Sequence, residues 1–160
     1  MRFITLVAIT YFLISCDNQR LYETNTELPD KFWVADSVLA FDFEVTDSNI
    51  AYNLYINIRN TVSYPFENIY VTYYLKDSLQ NELGTDLVNY DLFDPKTGQP
   101  YGDGLGDIFD HQFLLLKNHR FDLAGVYTFE LQQYMRMDTL PEILAAGILV
   151  EKALTTNEGN

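Results

Sequence analysis

Alternation of apolar and polar residues is the feature that most limits what this chain can fold into. Apolar side chains recur at every second position over long stretches, and a side-chain period of two is that of a β-strand with one buried face. The stretches are 38–45 (VLAFDFEV), 52–59 (YNLYINIR), 69–76 (IYVTYYLK), 109–116 and 126–135, with a weaker pattern in 87–93 and a closing apolar run at 148–152.

This pattern predicts an all-β domain. Seven or eight strands separated by turn residues within about 120 residues favour an antiparallel β-sandwich of the immunoglobulin, C2 or jelly-roll type. A closed barrel is the alternative, and the alternation fits both. Only residues 141–146 have helical features, because Thr139 can cap a helix, Pro141 lies early in it and Gly147 can end it. At most one short helix is therefore expected.

The first sixteen residues differ from the rest. Arg2 precedes an uncharged apolar run, residues 3–14, which suits a secretory signal peptide and is shorter than the ~20 residues of a membrane-spanning helix. The order apolar, apolar, small, Cys at 13–16 resembles a bacterial lipobox, and Cys16 is the only cysteine. We predict that residues 1–15 are a lipoprotein signal peptide and that Cys16 is lipidated. The alternative is an ordinary secretion signal with an unrelated cysteine.

The remaining chain divides into three parts. The segment 16–31 is polar and lacks an apolar period after Cys16, so we predict a lipidated cysteine followed by a flexible tether. Residues 32–154 are predicted to form a single β-sandwich domain. Residues 155–160 are predicted to be a polar tail.

The charge balance argues against several partners. The chain has 10 Lys+Arg against 23 Asp+Glu, a net charge of −13, and loss of the leader removes Arg2 and no acid, which leaves −14. Such a balance argues against nucleic acid, whose affinity comes from neutralised phosphates. It also argues against electrostatic docking on anionic lipid. The expected membrane link is therefore the N-terminal lipid anchor.

Residue patterns typical of enzymes are mostly missing from the sequence. His111 lies on the apolar side of a predicted strand and His119 lies in a turn, where histidines are more often packed or surface residues than bases or ligands. No serine lies in a Gly-x-Ser-x-Gly elbow and no glycine-rich loop joins a strand to a helix. We predict a protein that is not an enzyme and needs no cofactor. A hydrolase with paired carboxylates is the alternative.

A loop at 94–110 (DPKTGQPYGDGLGDIFD) is rich in aspartate and glycine. Asp94, Asp103, Asp107 and Asp110 can be viewed as a calcium site, since carboxylates beside exposed carbonyls suit Ca²⁺. Their spacing does not match an EF-hand. The favoured interpretation is a long connection whose side chains bond their own backbone, with no metal bound.

Three tyrosines fall on the polar side of predicted strands. Tyr55, Tyr70 and Tyr74 are therefore candidates for contact with a partner, because an outward aromatic ring with a polar tip suits a protein or a sugar. The alternative is that loop residues 61–68 cover this face.

Five pieces of sequence together resemble a known family. They are YNLYINIRN at 52–60, YPFEN at 64–68, GLGD at 104–107, GVYTFELQQYMR at 125–136 and ILAAGILVEK at 143–152. Their order and spacing resemble the gliding motility lipoprotein GldH family of Bacteroidetes. The resemblance departs at 140–143 (LPEI), where a glycine is expected before the apolar residue.

The resemblance implies a function. It implies a lipoprotein that is needed for surface gliding, is linked to type IX secretion, has no known catalysis and depends on other gliding lipoproteins for assembly or stability. Only the lipobox cysteine, Cys16, carries over as a functional position. The segment after Cys16 lacks the acidic cluster associated with surface export, so we expect a lipid-anchored protein of the cell envelope, on the outer membrane and facing the periplasm. The alternative function is a glycan- or calcium-binding envelope lipoprotein.

Overall fold

The computed structural model describes residues 19–154, and this part of the chain is entirely β-structure and turns. Residues 1–15, Cys16 and the tail 155–160 lie outside the described residues. No helix long and apolar enough to cross a membrane occurs between residues 19 and 154. The strands are β1 (Arg20–Glu27), β2 (Phe32–Val34), β3 (Leu39–Val45), β4 (Tyr52–Thr61), β5 (Asn68–Lys76), β6 (Glu82–Asp91), β7 (Asp103–Leu105), β8 (Ile108–His119), β9 (Gly125–Gln133), β10 (Thr139–Pro141) and β11 (Ile143–Lys152).

These strands form two main sheets and a small ribbon. The first sheet has the order β1-β11-β4-β8-β7, the second sheet has the order β3-β9-β5-β6, and β10 pairs with β2 in the ribbon. The pairings within them are antiparallel. The predicted all-β sandwich is confirmed. The structure has eleven strands where seven or eight were predicted, because β2, β7 and β10 are only three residues long and β1 was not foreseen.

The core lies between the two sheets. Every second side chain of β3, β4 and β5 is buried there, as the alternation predicts, and burial of each such side chain contributes about 1.5–3 kcal/mol. These residues are Leu39, Phe41, Phe43, Val45, Tyr52, Leu54, Ile56, Ile58, Ile69, Val71, Tyr73 and Leu75.

Aromatic rings join the two sheets along both long sides. On one side Tyr90 of β6 stacks on Phe113 of β8, with 4.2 Å between ring centroids. On the other side Tyr22 of β1 packs on Phe43 of β3 at 6.1 Å. Such pairs add about 0.5–1.5 kcal/mol beyond the area that they bury. The sheets are therefore held together at both margins as well as through the core.

The predicted helix at 141–146 is wrong. Pro141 ends β10, and β11 begins at Ile143. β11 lies between β1 and β4, and both of its faces are covered, so Ala145, Ala146 and Leu149 are all buried. A strand covered on both faces has a continuous apolar run, which periodicity cannot distinguish from a short buried helix.

The turn between β10 and β11 explains the departure from the family pattern. Glu142 has φ of 64°, a left-handed backbone that glycine adopts without cost. Here glutamate occupies it and is fixed by its neighbours: its amide donates to the Lys31 carbonyl, its carbonyl accepts from the Thr61 amide, and its carboxylate accepts from the Thr61 hydroxyl. The expected glycine position is thus a left-handed one, and these bonds hold glutamate in it.

The predicted tether at 16–31 is wrong for residues 20–27. Residues Arg20–Glu27 form β1, which pairs with β11 from Glu151 to Ala145. The Lys152 amide also donates to the Gln19 carbonyl. β1 is an edge strand with polar side chains on its exposed positions, so it lacks the apolar alternation of the inner strands. The folded body therefore includes residue 20, twelve positions before the predicted boundary at 32.

Gly147 permits the close approach of β1 to β11. A Cβ at this position would overlap the Thr24 carbonyl oxygen and the Asn25 side chain, whereas Gly84 of β6 faces open space. We expect Gly147→Ala to push β1 away from β11 and to lower the free energy of unfolding by about 1–3 kcal/mol. Gly84→Ala is the matched control and should change it by less than about 0.5 kcal/mol.

Urea unfolding of both variants, with the rate of proteolytic cleavage inside β1, checks this prediction. Equal losses in the two variants would show that the packing at Gly147 has no special importance.

Candidate partner-binding surface

The three candidate tyrosines do not share one surface. Tyr55 lies on the outer face of the first sheet, where its hydroxyl donates to the Glu151 carboxylate at 2.7 Å. Tyr70 and Tyr74 lie on the outer face of the second sheet, on the opposite side of the sandwich. The Lys76 ammonium lies 6.0 Å from the centre of the Tyr74 ring. Tyr70 and Tyr74 therefore share one face and Tyr55 lies on the other, and partner contact at these three positions stays a prediction.

Tyr70 lines an open cleft of about 420 Å³ on the second sheet, which we name the tyrosine cleft. Its other walls are Leu87 of β6 and the segment after β9, with Tyr134, Met135 and Arg136. The backbone fixes this arrangement, because the Tyr134 amide donates to the Tyr70 carbonyl at 2.8 Å and the Tyr70 amide contacts the Met135 sulfur at 3.1 Å. Arg136 follows in a left-handed conformation with φ of 56°.

A second groove continues from the tyrosine cleft. It measures about 310 Å³ and shares Tyr134 and Arg136 with the cleft. Its far side includes Ala35, whose carbonyl accepts a bond from the Gln132 side chain at 2.8 Å. Arg136 is the one cation that lines either depression. Together they form a continuous surface of aromatic, apolar and amide groups around one guanidinium, with the carboxylates of Asp36 and Asp138 in the second groove.

The composition of the tyrosine cleft is that of a binding surface. Tyrosine, methionine and arginine are enriched at protein interfaces, and exposed aromatic rings supply much of the binding energy there. The residues that line the tyrosine cleft include no histidine, carboxylate or activated nucleophile. The sequence identified Tyr70 but not Leu87, Tyr134 or Arg136. For Tyr134 the alternation in 126–135 indicated an outward side chain, and no comparable sign marked the other two residues.

The four aspartates proposed for calcium are not gathered into a site. Asp94 accepts bonds at 2.8 Å from the amides of Lys96 and Thr97, and these bonds lower the pKa of its carboxyl group. Asp110 accepts from Arg59 at 2.7 Å. Among residues 19–154, no group of three or more His, Cys, Asp or Glu side chains is arranged to hold a metal ion.

The favoured interpretation of this loop, side chains that bond their own backbone, agrees with the hydrogen bonds of the structure. Asp94 closes a turn in its own backbone, and its carboxylate also accepts from the Tyr101 hydroxyl at 3.2 Å. Asp103 and Asp110 face each other across the β7–β8 hairpin, whose turn uses Gly106 with φ of 67°. Asp107 accepts the Val62 amide through its backbone carbonyl. The aspartates thus belong to turns and a hairpin.

The two histidines are structural. His111 of β8 is buried beside Phe113, with 5.7 Å between ring centroids, and its Nε2 has no hydrogen-bond partner. His119 packs edge-on against Phe121 at 4.7 Å. Burial lowers the pKa of each imidazole below its ordinary value of 6.5, and the nearby carboxylates of Asp110 and Asp122 only partly oppose this.

Buried His111 and half-buried His119 predict a dependence of stability on pH. Because the pKa of each is lower in the folded state, the unfolded chain binds more protons as the pH falls through 6.5. The free energy of unfolding should therefore decrease over that range and level off below the folded-state pKa. We expect His111→Phe, which keeps a ring against Phe113, to remove part of the decrease.

Urea unfolding at about pH 7.5 and about pH 5.5 checks this. His119→Phe is the companion variant and should remove a further part. An unchanged pH dependence in His111→Phe would contradict the prediction.

Comparison with known proteins identifies the family. The family model described as GldH lipoprotein matches residues 20–150. The gliding motility lipoprotein GldH homolog of Christiangramia forsetii is 31% identical over 158 residues, covering 94% of each chain. Gliding motility lipoprotein GldH of Flavobacterium johnsoniae is 28% identical over 131 residues, covering 82% of this chain and 79% of its own.

Solved structures give only a weak similarity. The infectious bursal disease virus VP2 subviral particle is matched with a TM-score of 0.44 and 14% identity, covering 96% of this chain and 38% of the viral chain. That similarity is too low to support an argument about fold or function. The family model covers the sandwich from the first residue of β1 to Val150 in β11. The comparisons confirm the resemblance predicted from the sequence: this chain belongs to the GldH lipoprotein family.

Proposed function

We propose that this protein is a non-catalytic lipoprotein, anchored through Cys16, that supports the assembly or stability of the gliding motility and type IX secretion machinery. The observation that carries the proposal is the tyrosine cleft, a surface suited to protein contact on a chain whose relatives are named gliding motility lipoproteins. We assign it to the outer membrane, facing the periplasm. Its partners would be other gliding lipoproteins or secretion components.

The composition of the cleft supports a protein partner. Tyr70, Leu87 and Tyr134 are exposed although they are large and apolar, and exposed apolar patches mark interaction sites. Arg136 provides a single positive group at the junction of the cleft and the second groove, and Asp36 and Asp138 line the second groove. The partner we infer therefore offers apolar side chains to the tyrosine cleft and charged or polar groups to the second groove.

The anchor supports the same function. A lipidated protein shares a surface with other lipidated proteins, and this confinement raises their effective concentration for one another. A cleft of modest size can then hold a partner that it would bind weakly in solution. The acidic chain, with a net charge of −13, is also repelled by nucleic acid, which therefore does not compete with that partner.

A groove on the first sheet favours a second candidate function, glycan binding. This groove of about 320 Å³ is lined by Asn25, Asn57, Arg59 and Gln112, among others. Its amides are already linked, since Gln112 donates to Asn57 at 3.1 Å and Asn57 donates to Asn25 at 3.2 Å. Amide and guanidinium groups in a row are suitable donors and acceptors for sugar hydroxyls.

Substitution of the lipobox cysteine tests the anchor. We expect Cys16→Ala to prevent acylation, to move the protein from the membrane to the soluble fraction and to abolish gliding, because one thiol carries the whole membrane attachment. Mass spectrometry of the mature N-terminus and fractionation of cells measure this. Ser15→Ala is the matched control, since it keeps a small residue before the cysteine and should leave acylation intact. An unmodified Cys16 in the native protein would overturn the anchor.

Substitutions in the tyrosine cleft test partner contact. We expect Tyr134→Ser together with Tyr70→Ser to reduce at least tenfold the gliding and secretion proteins that co-purify with the chain from detergent-solubilised membranes, since loss of exposed aromatic anchors commonly costs about 2 kcal/mol or more. Tyr101→Ser is the matched control, because Tyr101 is 58% exposed and Tyr134 is 56% exposed, and Tyr101 lies outside the cleft.

The outcomes separate the candidate functions. Loss of partners only in the cleft variant, with an unchanged unfolding midpoint, supports the assembly role. An isolated monomer that binds polysaccharide, with binding lost on Asn57→Ala, supports the glycan alternative. Turnover of a glycan or an ester would overturn the non-catalytic assignment.

A further inference from the structure

The start of β1 brings the predicted anchor close to one end of the sandwich. Arg20 is the first residue of β1 and is paired with Glu151 near the end of β11. Only three residues separate it from Cys16, so the two Cα atoms can be at most about 14 Å apart. β4, which runs the length of the first sheet, has ten residues and spans about 34 Å. The opposite end of the sandwich therefore lies beyond the reach of this segment.

We name the end near Arg20 the proximal end, and it consists of residues 46–51, 77–81, 120–124 and 153–154. The strand registers place these segments together. Lys152 pairs with Tyr52, which pairs with His119, in the last row of the first sheet. In the second sheet Val45 pairs with Gly125, and Lys76 pairs with Thr128. The connections from β3 to β4, from β5 to β6 and from β8 to β9, and the residues after β11, therefore all lie at the proximal end.

Three leucines project from the proximal end. Leu79 is 80% exposed, Leu123 is 73% exposed and Leu154 is 72% exposed. Leu79 and Leu123 lie in fixed turns: the Leu79 amide donates to the Asp77 carboxylate at 2.8 Å, and the Leu123 carbonyl accepts from the Tyr127 hydroxyl at 2.7 Å. The backbone of each turn is thus held by a hydrogen bond, while the leucine side chain is exposed to solvent.

The proximal end carries charges of both signs. Its segments contain Arg120 and three carboxylates, of which Asp47 and Asp77 accept hydrogen bonds from backbone amides of their own turns, while Asp122 is the third. Four more basic residues lie beside these segments, and two of them are paired with glutamates, Arg20 with Glu23 and Lys76 with Glu130. The other two are Lys117 and Lys152. Most of the chain's 23 Asp+Glu residues lie outside these segments.

We propose that the proximal end faces the bilayer and that Leu79, Leu123 and Leu154 enter the headgroup layer, an inference that rests on the anchoring of Cys16 in the proposed function. Apolar side chains on rigid turns gain free energy on leaving water, and nearby lysine and arginine side chains suit lipid phosphates. The two outer faces of the sandwich are disfavoured for this contact because their acids would approach the phosphates. The tyrosine cleft then lies away from the membrane, because Tyr70 and Tyr134 are at the far ends of β5 and β9 from the proximal end.

Tryptophan substitutions test the proposal. The lipidated full chain carrying Leu79→Trp or Leu123→Trp is purified in detergent and reconstituted into vesicles of phosphatidylethanolamine and phosphatidylglycerol, with or without phosphatidylcholine brominated on its acyl chains. Leu105→Trp is the matched control, because Leu105 is 91% exposed and lies in β7 at the opposite end. Native Trp33 is fully buried and supplies a constant background.

We expect brominated lipid to quench at least half of the added emission of Leu79→Trp and Leu123→Trp and none of that of Leu105→Trp. Equal quenching at all three positions would overturn the proposal, and so would no quenching at any of them in protein that floats with the vesicles. Protein that fails to float would instead refute the anchor, and with it both this proposal and the proposed function. Unchanged urea midpoints verify that each variant is folded.

Discussion

The pairing of β11 with β1 on one side and β4 on the other is the interaction on which the rest of the structure depends. It places a strand with two covered faces in the first sheet, which is why Ala145, Ala146 and Leu149 are buried together. It also ties the beginning of the described chain to its end, since Lys152 bonds Gln19. If Cys16 is anchored as proposed, a force applied there would reach the sandwich through the three residues between Cys16 and Arg20.

Much of the fold could be predicted from the sequence, and the failures have a common cause. β3, β4, β5 and β9 each have one face in the core and one in water, so their alternation identified both the strands and the buried positions. β11 and β1 do not meet that condition. β11 is covered on both faces, and β1 is a mostly polar strand at the edge of the sheet. Glu142 shows a further limit, because its left-handed backbone is held by Lys31 and Thr61, which are distant in sequence.

The candidate site was less predictable than the fold. Alternation shows which side chains of a strand point outward, but it does not show which sheet the strand joins. Tyr55 and Tyr70 have the same local pattern and end on opposite sides of the sandwich. The tyrosine cleft is assembled from β5, β6 and the segment after β9, and the contact between Tyr134 and Tyr70 follows from a strand register that the sequence does not encode locally.

Confinement to a membrane would allow a small cleft to hold a partner. Only five of the described residues line the tyrosine cleft, whereas each side of a stable interface in solution usually contributes about 20–30 residues. If the chain and its partner are held at one surface with fixed orientations, each binding event loses less translational and rotational freedom, and a smaller contact is sufficient. With Cys16 anchored as proposed, the short segment before β1 would limit the height and direction of the cleft above the membrane. This restriction would replace part of the contact area that an interface in solution needs.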